Sequence, residues 1–148
     1  MWLLYRTLGA ISALCLGFVG PLAFADETPY TEGNVVNVAA IRTEYGRFDD
    51  YMKFVATTWK QQMEASKKAG LIVSYEVLAA QPHNPAEADI YLVVRYKNWA
   101  ALDGLREKQQ AILAQIYGSL TKASQGAVER GKLRTVLGDQ NLQVLNLK

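Results

Sequence analysis

The stretch LIVSYEVLAAQPHNPAEADIYLVVRYK, residues 71–97, predicts the hairpin around which the other elements are arranged. Its two ends, residues 71–80 and residues 89–97, are rich in aliphatic, β-branched and aromatic side chains, a composition typical of strands. Residues 81–88 between them contain two prolines and predict a loop. Because this loop is too short for a crossover helix, the two strands are predicted to pair antiparallel as a hairpin.

Helices are predicted on both sides of this hairpin along the chain. Residues 47–69 carry apolar side chains three or four positions apart, which predicts an amphipathic helix, and Gly70 is well suited to end it. Residues 99–118 repeat this spacing after Asn98, which is a good N-cap residue. Residues 121–137 predict a further helix, followed by a turn at residues 138–139.

Two more strands complete the pattern, at residues 34–42 (NVVNVAAIR) and residues 140–148 (QNLQVLNLK). The resulting order, β-α-β-β-α-(α)-β, places two right-handed crossovers around the hairpin. It predicts an α+β, ferredoxin-like domain, in which helices cover one face of a four-stranded antiparallel sheet and leave the other face bare.

The first 25 residues are predicted to be a secretory signal peptide. Arg6 precedes an apolar run, and Ala23-Phe24-Ala25 is the small-x-small pattern that signal peptidase cleaves. An uncleaved membrane anchor is the alternative, but the run of about 17 apolar residues is at the lower limit for spanning a bilayer. A lipoprotein would use Cys15, but Leu14 before it does not fit the lipidation signal.

Composition sets further limits on function. Removal of 25 of the 148 residues leaves 123, enough for one domain with its own core. We expect a periplasmic or secreted protein with a flexible lead at residues 26–33 and a single domain at residues 34–148. The only cysteine, Cys15, is lost with the signal, so the mature chain has no disulfide and no thiol chemistry.

The charge balance and the predicted signal cleavage limit the possible partners. After removal of Arg6 with the signal, the mature chain keeps 15 basic and 14 acidic residues without a basic cluster, and this excludes a typical nucleic-acid partner. No membrane association is expected once the signal is cleaved. A bare sheet face predicts instead a homodimer, with a small-molecule ligand as a further partner.

Strand alternation assigns candidate ligand-binding side chains to the bare face. In residues 89–97 the apolar set that ends at Tyr96 is expected under the helices, and the opposite set is expected on the bare face. The first strand is assigned so that Val35, Asn37 and Ile41 also face that side. The polar candidates on the bare face are Asn37, Ser74, Glu76, Tyr91 and Arg95.

Two interpretations of these residues stay open. Arg95 could hold an anionic or enolate ligand through two parallel hydrogen bonds, and Tyr91 could donate a proton. Alternatively, the residues form a polar dimer interface in which Arg95 and Glu76 make an ordinary cross-strand ion pair.

His83 is the only histidine, and histidine is the side chain that titrates near neutrality when unperturbed. It could act as a general base if its loop folded over the sheet, or it could be an exposed loop residue. One histidine with scattered carboxylates lacks the spacing of a metal site, and the sequence contains no nucleotide-binding or hydrolase motif. We therefore expect neither a metal nor a cofactor.

The element order and the passage Tyr96-Lys97-Asn98-Trp99-Ala100-Ala101-Leu102-Asp103, which leads from strand into helix, resemble the dimeric α/β-barrel superfamily. Its members include antibiotic-biosynthesis-monooxygenase-like, haem-degrading and stress-responsive barrel proteins. The resemblance spans residues 34–148 and is strongest to secreted bacterial members of unassigned activity. It implies a homodimer whose two sheets meet, often around a cavity, and several members act on small aromatic or polyketide substrates without a cofactor.

Haem-degrading members use an Asn, a Trp and a His near the cofactor. Here Asn37 lies on the predicted first strand, but His83 lies in a loop and Trp59 belongs to the apolar stripe of a helix, so the haem pattern is not reproduced. The functions left open are a dimer that binds a small, mostly apolar molecule in its barrel, a cofactor-independent monooxygenase-like enzyme, and a non-enzymatic interaction or stress-response module. An enclosed cavity would favour the first two, and a filled barrel the third.

Overall fold

The computed structural model describes residues 28–148. The predicted signal peptide and its cleavage site lie outside the described residues. None of the helices in the described part is long and apolar enough to cross a membrane.

The described chain has the predicted order of elements. Its strands and α-helices are β1 (Tyr30–Thr43), α1 (Phe48–Phe54), α2 (Lys60–Lys68), β2 (Ser74–Ala79), β3 (Ile90–Tyr96), α3 (Leu105–Tyr117), α4 (Leu120–Gly131) and β4 (Arg134–Leu147). A π-helical turn, Val55–Trp59, joins α1 to α2 without a break, so the two make one long helix. Residues 99–118, predicted as one helix, divide into a 3-10 turn, Trp99–Leu102, and α3, because Gly104 takes a positive φ of 62° between them. The predicted cap is present: the Asn98 side chain accepts a hydrogen bond from the Ala101 backbone N–H at the start of the turn.

The four strands form one antiparallel sheet in the order β2-β3-β1-β4. β2 and β3 make the hairpin that residues 71–97 predict. β1 lies in the middle, paired with β3 on one side and with β4 on the other. This is the ferredoxin-like order, so the predicted fold class is confirmed.

The first and last strands are longer than the sequence predicts. β1 begins at Tyr30, inside the stretch expected to be a flexible lead. β4 begins at Arg134, so α4 ends at Gly131 and the expected turn at residues 138–139 is part of the strand. The register between β1 and β4 shifts at this point, which marks a β-bulge. A bulge accepts turn-forming residues without ending the strand.

The hydrophobic core lies between one face of the sheet and the helices. We call this side the helix face; on β3 it carries Ile90, Leu92, Val94 and Tyr96, which are all buried in the core. The opposite side, here the open face, carries Tyr91, Val93 and Arg95. The prediction that the apolar set of β3 lies under the helices is confirmed.

Candidate functional site

The hairpin register places four of the predicted site residues on one face. Directly opposed residues of antiparallel strands point to the same side of the sheet. Ser74 lies opposite Arg95, and Glu76 lies opposite Val93. Tyr91 alternates in phase with these residues on β3, so all four polar side chains share the open face.

Arg95 and Glu76 form a charged pair on the open face. An Nη2 atom of Arg95 lies 3.9 Å from Oε1 of Glu76, and the two side chains are 33% and 53% exposed. A long and solvated ion pair of this kind contributes no more than about 1 kcal/mol to stability. Arg95 therefore keeps most of its hydrogen-bonding capacity for another group.

Apolar side chains surround this polar corner. The registers of β1 with β3 and β4 place aliphatic residues from all four strands on the open face: Val36, Val38, Ala40, Leu78, Val93 and Leu142. Leu78 and Leu142 are 49% and 45% exposed. A contiguous apolar area on a protein surface is typical of a binding or association site.

Asn37 lies on the helix face, so its predicted position on the open face is wrong. It stands opposite Val94 on β3 and opposite Asn141 on β4. Val35 and Ile41, which were assigned with it, belong to the core and are 0% and 1% exposed. The assignment fails because β1 is a central strand with apolar residues on both faces, and its alternation does not show which face points inward.

Asn37 instead occupies the centre of a polar cluster on the helix face. Its Nδ2 donates to Oδ1 of Asp139 at 2.6 Å and to Oδ1 of Asn141 at 3.0 Å. On balance the pKa of Tyr96 is raised, and burial of the phenol is the main cause. A hydrogen bond from the Gln109 side chain lowers this pKa, and the negative charge of Asp139 raises it. We call these five residues the β1–β4 polar cluster.

The β1–β4 polar cluster combines groups that can handle a proton. The carboxylate of Asp139 can accept one, the Tyr96 hydroxyl can donate one, and the carboxamides can orient a polar ligand. Asp139 and Asn141 are not among the site residues that the sequence predicts. The signal that could have found them is the polar alternation of Asp139, Asn141 and Gln143 along one face of β4.

His83 lies in the loop between β2 and β3, with its side chain 91% exposed. Its Nδ1 is 3.6 Å from Oε2 of Glu87, and its backbone N–H donates to the same oxygen at 2.7 Å. Arg42 ties this loop to β1 by donating to the carbonyl oxygens of Asn84 and Glu87. This environment fits the exposed-loop interpretation of His83.

Two concave regions of the described chain lie between helices. A groove with a volume of ≈ 950 Å³ separates α2 from α3, and a trough of ≈ 400 Å³ separates α3 from α4. Among residues 28–148, no group of three or more histidine or acidic side chains could hold a metal ion.

Comparison with known proteins leaves the family open. No family model matches the chain, and no curated protein matches it. The chain is similar to a solved structure, the crystal structure of HapK from Hahella chejuensis, with a TM-score of 0.50 and 14% identity. The match covers 73% of this chain and 90% of that chain, and at this identity it shows the fold alone.

Proposed function

We propose that the protein is an exported homodimer that binds a small, mostly apolar molecule between the open faces of two sheets. Membership of the dimeric α/β-barrel superfamily is part of this proposal and rests on the ferredoxin-like sheet and the Tyr96–Asp103 passage. The observation that carries it is the open face, where aliphatic side chains from four strands surround the Arg95–Glu76 pair.

The energetics of the open face favour a second copy. Apolar surface left in water costs about 25 cal/mol per Å². A two-fold interface uses the same patch on both chains, and a sheet face with aliphatic side chains on all four strands suits such self-association. The polar corner would then occur twice at the interface, once from each copy.

Arg95 and Tyr91 supply the polar end of the proposed ligand site. The guanidinium group can hold a carboxylate or enolate oxygen through two parallel hydrogen bonds. Its contact with Glu76 at 3.9 Å is weak, so a ligand anion can compete for the guanidinium. The aliphatic residues beside it suit the apolar part of the same ligand.

The dimer is tested by sedimentation with a matched pair of substitutions. We expect the wild type to sediment at twice the monomer mass at micromolar concentration. Val38→Lys on the open face should give a monomer, because it places a charge in the proposed interface. Val128→Lys on α4, where the side chain is 66% exposed, should leave the dimer intact. A wild type that is a folded monomer at this concentration would overturn the proposal.

Ligand binding is tested on protein purified from its own source. Native mass spectrometry should detect a small molecule that leaves when the dimer is split. Arg95→Ala should weaken its retention while the dimer persists. A dimer recovered without a bound molecule would favour the non-enzymatic interaction module.

Export is tested by the intact mass of the protein recovered outside the cytoplasm. Cleavage after Ala25 gives a chain that begins at Asp26, as the small residues at positions 23 and 25 predict. A recovered protein that still carries residues 1–25 would contradict the signal-peptide proposal.

A second candidate function is a cofactor-independent enzyme that uses the β1–β4 polar cluster. The observation in its favour is the Asp139 carboxylate, whose Oδ1 accepts a hydrogen bond from the Asn37 Nδ2 at 2.6 Å and whose charge acts on the Tyr96 phenol. Such an enzyme would move a proton on an enolisable substrate, as in isomerase or monooxygenase-like chemistry. Asp139→Asn should then abolish turnover while Arg95→Ala leaves it in place; the reverse result would move the chemistry to the open face.

A further inference from the structure

We infer that the trough between α3 and α4 binds an amphiphilic carboxylate, an acid with a medium-length apolar tail, and that Arg130 anchors its head group. This α3–α4 trough has a volume of ≈ 400 Å³, within the roughly 300–1,000 Å³ of typical ligand pockets. Leu113, Leu120, Ala123 and Ala127 form its apolar part, and Arg130 stands at its charged end.

Arg130 is held in place on two sides. Its Nη1 donates to the Tyr117 hydroxyl at 3.0 Å, and its guanidinium carbon lies 4.8 Å from the centre of the Phe54 ring. A guanidinium group fixed in this way loses little conformational entropy when it binds an anion.

Gly126 makes room for this arrangement. A Cβ atom at this position would lie 3.0 Å from Cε1 of Tyr117 and 3.4 Å from Nη1 of Arg130. Tyr117 therefore passes against the backbone of α4 at a point where a larger residue would push it away. The glycine lets the tyrosine reach Arg130 across the two helices.

The positive charge at this end of the trough is not neutralised by an acidic side chain. Within residues 28–148, neither Arg130 nor Arg134 has a carboxylate at ion-pair distance. The Arg134 guanidinium carbon lies 5.5 Å from the centre of the Tyr51 ring, and its Nε is buried without a hydrogen-bond partner in the described part.

The guanidinium groups of Arg130 and Arg134 both act on Tyr51. Burial raises the pKa of Tyr51, while the charges of Arg134 and Arg130 lower it. The nearby acid, Asp89, already accepts hydrogen bonds from the Thr43 backbone at 3.0 Å and from the Thr43 hydroxyl. Two cations with one committed acid give a local excess of positive charge around Tyr51, and Arg130 connects this region to the trough.

Charge and lining together specify the ligand. A guanidinium group matches the two oxygens of a carboxylate, and the apolar lining matches an aliphatic or aromatic tail. The groove between α2 and α3 is the competing site for an anion, because Lys68 and Lys108 line it. The experiment must therefore tell these two sites apart.

The test uses octanoate as the probe and isothermal titration calorimetry on the mature protein. We expect saturable binding of one octanoate per chain, and at least about tenfold weaker binding of octan-1-ol, which lacks the charge. Arg130→Gln should weaken octanoate binding by about tenfold or more. Lys108→Gln is the matched control in the competing groove and should leave the affinity unchanged.

A second variant tests the trough without a substitution at Arg130, so a loss of binding in Arg130→Gln that came only from a change in structure would be recognised. Ala127→Phe fills the trough at an exposed helix position and keeps Arg130 itself unchanged, so it should block octanoate while the melting temperature stays close to the wild type. Absence of saturable binding, binding that survives both variants, or binding lost in Lys108→Gln would each overturn the inference. Arg95→Ala separates the trough from the open face: octanoate held by Arg130 keeps its affinity in this variant, whereas binding lost in Arg95→Ala would place the octanoate on the open face and overturn the inference.

Discussion

The two faces of the sheet differ in how far the rest of the chain covers them. On the helix face, Val35, Ile41 and Ile90 are at most 1% exposed, and the polar Asn37 has two side-chain acceptors within 3.0 Å. On the open face, Leu78 is 49% exposed and the closest charged contact is 3.9 Å long. The chain's own helices cover the helix face, while the open face keeps half-exposed leucines on its outer strands, Leu78 on β2 and Leu142 on β4.

The largest expected effect is a loss of stability caused by a substitution on the helix face. Ile90→Ala removes a fully buried side chain and should lower the free energy of unfolding by about 2–5 kcal/mol. Leu78 is half-exposed on the neighbouring strand β2, so Leu78→Ala should lower the free energy of unfolding by less than about 1 kcal/mol in dilute solution. Urea denaturation measures both, and equal losses would contradict the contrast between the faces.

The next effect depends on whether the open face is covered. If the Arg95–Glu76 pair stays in water, Arg95→Ala should lower the free energy of unfolding by about 1 kcal/mol or less. If a second copy buries the pair, the substitution leaves an unpaired carboxylate and should cost about 3 kcal/mol. Thermal melts above and below the dimer dissociation concentration distinguish these values, and adding Glu76→Gln to Arg95→Ala should recover part of the loss only in the dimer.

A smaller effect is expected from the β1–β4 polar cluster. Asn37→Ala removes the donor to Asp139 and Asn141 and should lower the free energy of unfolding by about 1–2 kcal/mol, because both acceptors can turn to water. The double variant Asn37→Ala with Asp139→Ala measures the coupling between the two side chains. An additive double variant would show that the 2.6 Å contact contributes nothing to stability.

The smallest effect appears at alkaline pH. Burial raises the pKa of Tyr96 above the ordinary 10.0, so the folded protein favours the neutral phenol. The stabilisation that the neutral phenol gives the folded state is fully present below pH 10 and is lost as the pH rises through the folded-state pKa of Tyr96. The stability should therefore fall above pH 10, and less so in Tyr96→Phe. An identical alkaline profile for both proteins would show that Tyr96 does not drive the loss.

The sequence predicted the fold well because its signals were local. The two apolar runs of residues 71–97 and the prolines between them define a hairpin without knowledge of the rest of the chain. The helical spacing around Trp59 and the cap at Asn98 are equally local, and both elements are present. From this order of elements, the handedness of crossovers leaves few possible sheets.

The candidate site was harder to predict because it depends on contacts distant in sequence. Asn37 meets Asp139 across 102 positions, and a one-residue choice of phase in β1 decides which face carries the asparagine. Gly138 and Asp139 form a turn-like pair in the sequence, but pairing with β1 keeps them in a bulged strand. Arg130 gave no signal at all, since its partners Tyr117 and Phe54 come from two other helices.

The length of β4 has a consequence for the behaviour of the protein in concentrated solution. In the described sheet it is an outer strand of 14 residues, and its last eight, QNLQVLNL at residues 140–147, contain no charge and no proline. Unpaired backbone groups along such a strand are a template for further strands, and natural proteins usually guard them with charge. Sheet growth into aggregates should therefore start at this edge, and a lysine introduced there should keep the protein in solution longer.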